Sequence, residues 1–136
     1  MLIEDASGLR RLLTECRVIA VVGVSAKSDR PSHYCSQYLI DHGYTVIPVN
    51  PGLKEVLGLT CYPDLAAIPV KVDMVNVFRN AEDVPPIAAE AVRIGARCLW
   101  LQLGIVNESA AEMASAAGLE VVMNHCVKME HARLMG

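Results

Sequence analysis

The chain alternates apolar runs of about five residues with stretches of helical spacing. Leu9, Leu12 and Leu13 share one face of a helix predicted over Ser7–Glu15, with Arg10, Arg11 and Glu15 opposite. Val18 to Gly23 is a continuous β-branched run of the kind that fills an interior strand. Pro31 suits a first helical turn, Tyr34–Asp41 keeps helical spacing, and Gly43 follows as the stop. Thr45–Val49 reads as a second strand ended by Asn50-Pro51-Gly52, and Leu53–Tyr62 as an ordered loop. Asp64 caps a single turn before Pro69, and Asp73–Phe78 is a third strand. Ala81–Ile94 is predicted helical, with Asp83 as N-cap, Pro85 and Pro86 in the first turn and Gly95 at the end. Cys98–Leu103, a helix from Asn107 to Ala117, a strand at Glu120–Met123 and a helix at Val127–Met135 complete the order.

Strands separated by crossovers of this length predict an α/β fold. We expect residues 1–136 to form a single Rossmann-like doubly wound domain. Its five-stranded parallel sheet is expected in the order 3-2-1-4-5, with the ligand crevice at the switch between strands one and four. The bordering segments would be Gly23–Pro31, Val49–Pro51, Phe78–Arg79 and Leu103–Gly104.

Composition narrows the function. Hydrophobic residues make up 53% and aromatics only 4%, so the core is aliphatic. A net charge of −3 without a basic cluster argues against nucleic acid. No apolar run reaches the roughly 20 residues of a membrane span, and the start of the chain lacks a signal-peptide pattern. The five cysteines form no C-x-x-C and read as reduced core thiols of a cytoplasmic protein.

The candidate chemistry lies after the first strand. Gly23-Val24-Ser25-Ala26-Lys27-Ser28 has serines where a dinucleotide fingerprint has its second and third glycines. Gly23 permits a tight turn and close ligand approach. Ser25 and Ser28 can donate to phosphate oxygens, although Ser28 or Asp29 could instead cap the helix. Lys27 and Arg30 are the loop's cations, and Arg30 can grip a phosphate bidentately. The second strand ends in Pro48-Val49-Asn50-Pro51, without the acid that holds an NAD ribose. Asn50 can bond a base or ribose. Phe78 can pack on a ligand or in the core, and Arg79 can face a ligand or pair with Glu82 or Asp83. His125, Cys126, Glu130 and His131 match no zinc spacing. Cys126 beside His125 has no orienting third group for nucleophilic catalysis. No residue is assigned to catalysis or to a metal.

These blocks recur together in one family. Gly23-Val24-Ser25 with Arg30-Pro31-Ser32, Gly43-Tyr44 with Pro48-Val49-Asn50-Pro51, Tyr62-Pro63-Asp64-Leu65, Val72–Arg79, Trp100–Gly104 and Cys126 before Lys128, Glu130 and His131 stand in matching order. From Ile19 to Leu134 the chain resembles the stand-alone coenzyme A-binding proteins of bacteria, related to the CoA-binding domain of the succinyl-CoA ligase α subunit. The resemblance implies CoA or an acyl-CoA as ligand. It puts Gly23, Val24, Ser25 and Arg30 in a phosphate loop, Pro48, Val49, Asn50 and Pro51 on the adenosine side, and Gly104 on the opposite lip. The family commonly carries Asp-Arg where this chain has Asn124-His125. No residue here inherits the ligase's acyl chemistry. The competing expectations are an NAD(P)-dependent oxidoreductase or epimerase, favoured by fold alone, and a scaffold that docks a protein partner.

Overall fold

The computed structural model describes residues 1–136. Five parallel strands form the sheet: β1 (Val18–Val22), β2 (Thr45–Val49), β5 (Met74–Val77), β6 (Cys98–Leu101) and β7 (Glu120–Val122). A hairpin of β3 (Glu55–Val56) and β4 (Leu59–Thr60) stands apart. The helices are α1 (Ala6–Glu15), α2 (Pro31–Asp41), α3 (Val84–Arg93), α4 (Glu108–Ala116) and α5 (Val127–Met135).

Because the sheet is covered on both faces, its strands are apolar on both. Ile19, Val21, Met74, Cys98 and Trp100 point into one core with Leu9, Leu12, Leu13, Cys35 and Leu39 of α1 and α2. Ala20, Val75, Val77, Leu99 and Leu101 point into a second with Ala88, Ala91, Ala110 and Ala114 of α3 and α4. The alanines let those two helices pack close against each other. Burying Trp100 completely, with its indole N–H donating to the His125 carbonyl at 2.9 Å, anchors the first core.

The α/β class holds, but the expected order 3-2-1-4-5 does not. The order is β2-β1-β5-β6-β7, so the third major strand lies between the first and fourth. Two features cause this. The outer edge of β2 is already occupied: Tyr62 N–H donates to the Pro48 carbonyl at 3.0 Å, and Asn50 N–H donates to the Tyr62 carbonyl at 2.9 Å. Meanwhile the Asp73 carboxylate accepts from Arg17 and Val18 N–H at 3.0 and 2.9 Å, which pins the start of β5 to the start of β1. The switch point therefore lies between β1 and β5, the position of the ligand crevice in sheets of this order.

Smaller differences have local causes. Residues within the segment expected to be a loop, Leu53–Tyr62, form the β3–β4 hairpin, whose turn residues Leu57 and Gly58 both take positive φ. Asp83 ends a 3-10 turn (Ala81–Asp83) and, at the N-cap of α3, makes no side-chain cap; its carboxylate bonds Arg79 instead. Arg30, rather than Ser28 or Asp29, stands at the N-cap of α2, also without a side-chain cap. Asp64 and Asn107 do cap, accepting from Ala67 and Ala110 N–H.

Candidate functional site

A cavity of about 1030 Å³ opens at the carboxyl ends of β1, β5 and β6, on the face covered by α2 and α5. Gly23 forms its floor. Its φ is +91°, and a Cβ there would meet the Phe78 carbonyl oxygen at 2.5 Å and Arg79 Cδ at 2.8 Å. Only glycine lets the turn after β1 pass this close to the end of β5.

The loop from Gly23 to Pro31 is folded by its own serines. Ser25 N–H donates to the buried Ser32 hydroxyl at 2.9 Å, and Ser25 Oγ accepts from Lys27 N–H at 3.1 Å. His33 Nδ1 donates to the Ser25 carbonyl at 2.9 Å. Lys27 and Arg30 are exposed on the cavity rim, with no carboxylate within ion-pair distance of either. Their charge and the positive end of α2 point to the same space.

The remaining predicted residues divide. Ser25, Phe78, Arg79 and Gly104 line the large cavity. Phe78 also packs on the first core, and Arg79 holds Asp83 at 3.3 Å. Val49 and Pro51 line a separate cavity of about 310 Å³ on the α3 side, which shares Gly23 and Arg79 with the first. Val24 is fully buried. Pro48 is buried in β2, and Ser28 is exposed on the loop. Asn50 is a clamp: its amide donates to the Val24 carbonyl at 2.8 Å and its oxygen accepts from Gly52 N–H at 2.8 Å. That clamp ties the loops after β1 and β2 together. Gly104 N–H donates to Asn124 Oδ1 at 2.7 Å, joining the loops after β6 and β7.

Where α2 meets α5, the wall carries sulfur. Cys35 of α2 and Cys126, the N-cap of α5, both line the cavity with their sulfurs 3.9 Å apart. Cys126 is drawn down from the ordinary thiol value to about 6. The causes are the Cys35 S–H, then the Met129 and Lys128 backbone N–H groups at the start of α5, and the Lys128 charge. The shared proton and burial push Cys35 the other way. Beneath them, Gln102 donates to Asn76 Oδ1 at 2.5 Å and accepts from Val127 N–H at 3.4 Å, linking β5 and β6 to the start of α5. His125 turns away from the cavity, its Nδ1 3.6 Å from Glu130.

Sequence reasoning missed Cys35, Gln102, Cys126 and Met129 as cavity residues. Cys126 carried a signal, since it stands immediately before the predicted helix at Val127. Cys35 carried none, because its partner is 91 residues away.

Comparison with known proteins agrees with this architecture. The family described as "CoA binding domain" matches residues 17–132. The uncharacterized protein YneT of Bacillus subtilis (strain 168) is 41% identical over 124 residues, spanning 91% of this chain and 92% of that one. The ADP-forming acetate–CoA ligase I of Archaeoglobus fulgidus is 27% identical over 123 residues, 83% of this chain but only 18% of the ligase. A solved structure of a hypothetical protein from Pyrococcus horikoshii OT3 superposes with a TM-score of 0.95 at 38% identity, covering 98% of this chain and 94% of that one.

Proposed function

The chain belongs to the CoA-binding domain family, and on that premise we propose that it binds coenzyme A or an acyl-CoA in the large cavity. Residues 1–136 act in this reading as one binding unit. The observation that carries it is the pair of unpaired cations, Lys27 and Arg30, on the rim of a cavity at the β1–β5 switch. The end of β2 offers Asn50 and two prolines instead of a carboxylate. Such a site favours a ligand recognised through its phosphates over one recognised through a ribose diol.

In the bound state Arg30, Lys27, Ser25 and Ser28 take phosphate oxygens, and Gly23 and Val24 contribute backbone and closeness. Val49 and Pro51 form the adenosine side, reached past Gly23 and Arg79, with Asn50 clamping the loops around it and Pro48 buried behind it in β2. Phe78 and Gly104 flank the remaining chain of the ligand. Five cysteines without a disulfide fit a reducing compartment such as the cytoplasm. The role needs no covalent step, and the ligase activity of the Archaeoglobus relative belongs to a protein of which this chain spans less than a fifth.

The first test is what the native protein carries. Mass spectrometry of gently purified protein is expected to find CoA or an acyl-CoA. In a melting series, CoA should raise Tm while NAD leaves it unchanged. A Tm rise with NAD alone would favour a nicotinamide enzyme, and no rise with either would favour a protein-docking scaffold.

A further inference from the structure

Three of the five cysteines, Cys16, Cys61 and Cys98, are buried in the core, where burial raises their thiol pKa. Cys35 and Cys126 differ in place and in company. They come from two helices, meet sulfur to sulfur at 3.9 Å, and line the cavity at the edge of the first core, to which Cys35 also belongs. No cluster of three or more His, Cys, Asp or Glu side chains surrounds them, so the pair is not part of a metal-ligand set. A bonded disulfide has its sulfurs about 2.0 Å apart, so the pair stands in reduced, non-bonded contact and must approach further to bond. The two thiols are also inequivalent. Cys126 stands at the N-cap of α5, beside the positive end of that helix, whereas Cys35 lies within α2.

We infer that Cys126 and Cys35 form a thiol–disulfide exchange centre for small disulfides entering the cavity, with Cys126 attacking and Cys35 resolving. The choice of CoA disulfide as the preferred substrate rests on the CoA proposal above; the dithiol itself rests on the geometry.

The Cys126 thiolate attacks one sulfur of R–S–S–R. The R–S–S–R bond breaks, Cys126–S–S–R forms, and RS⁻ leaves with the electron pair. Cys126 no longer holds the negative charge that kept the Cys35 proton in place, so Cys35 loses that proton to the departing thiolate. Its sulfur then attacks Cys126, forming Cys35–S–S–Cys126 and releasing the second RS⁻, which takes up the proton that Cys126 had lost to solvent. One small disulfide is reduced to two thiols and two protein thiols are oxidised, a balanced two-electron exchange. The reverse reaction, driven by excess small thiol, restores the dithiol.

The test incubates the reduced full chain with CoA disulfide or 2-hydroxyethyl disulfide and follows intact mass and peptide maps. The wild type is expected to lose two hydrogens and to yield a Cys35–Cys126 cross-linked peptide. Cys35→Ser should instead retain one ligand half on Cys126, and Cys126→Ser should stay unmodified over the same time. CoA disulfide should react at least tenfold faster than 2-hydroxyethyl disulfide. Wild type that forms no cross-link with either probe, while calorimetry shows that it binds CoA, overturns the exchange centre and keeps the ligand. A cross-link formed at equal rates by both probes supports the dithiol and overturns CoA disulfide as its preferred substrate. An adduct on Cys35 in the Cys126→Ser protein, faster than that on Cys126 in Cys35→Ser, overturns the assigned roles. Circular dichroism of both variants checks that each is folded.

Discussion

The two walls of the cavity are built on opposite principles. The β1–α2 loop offers fixed positive charge: Lys27 and Arg30 stand in solvent, unpaired, above Ser25 and Ser32, whose hydroxyl oxygens accept from loop N–H groups. The wall where α2 meets α5 instead places two thiols, Cys35 of α2 buried and Cys126 at the start of α5 half-buried, over a buried amide pair. A small, highly charged ligand would use only the first wall. A ligand with phosphates at one end and sulfur at the other would use both, and coenzyme A has that polarity. On the proposed reading, the difference would let one sheet edge read two ends of a long molecule without a carboxylate for ribose.

Substitutions can separate the walls. The largest effect is expected at Gly23, which both cavities share. Gly23→Ala puts a side chain at φ +91° and within 2.5 Å of the Phe78 carbonyl. Strain and overpacking of this kind cost about 3 kcal/mol together, so urea denaturation should show a lower midpoint and CoA binding should be lost. Arg30→Ala tests the charged wall alone. Binding of CoA should weaken by about 1.5–3 kcal/mol, the range for hydrogen bonds to charged groups, with the melting temperature of the free protein unchanged. If Cys126 alkylation also changes in that variant, the walls are coupled and the comparison fails.

Trp100→Phe probes the other side. It removes the indole N–H that holds the His125 carbonyl beside Cys126. The expected loss is about 1 kcal/mol of stability, with altered Cys126 reactivity and little change in the phosphate loop. The finest test is the pH profile of alkylation. Cys126 is lowered to about 6, so its thiolate, and with it the iodoacetamide rate, should fall as pH drops through that value. Cys35, raised by the same contact, should stay unreactive across neutral pH until Cys126 is blocked.

Much of the scaffold was written locally. The helix of Leu9, Leu12 and Leu13, the β-branched first strand, the Asn107 cap and the Gly43 stop each depend on residues close in sequence, and each formed. The strand order was not local. It depends on Tyr62 closing the β2 edge and on Asp73 reaching the start of β1, contacts that no periodicity announces. The candidate site divides the same way. Gly23, Ser25, Lys27 and Arg30 form one short motif, and all four line the cavity. Asn50 serves as a clamp between loops, and the Cys35–Cys126 contact arises only when α2 and α5 pack side by side.

The central claim, that this cavity recognises the phosphates of coenzyme A, is tested most directly by titration calorimetry with CoA, dephospho-CoA and NAD on one reduced preparation. CoA is expected to bind at least tenfold more tightly than either of the others, about 1.4 kcal/mol or more. No heat with CoA, or equal affinity for NAD, would contradict it.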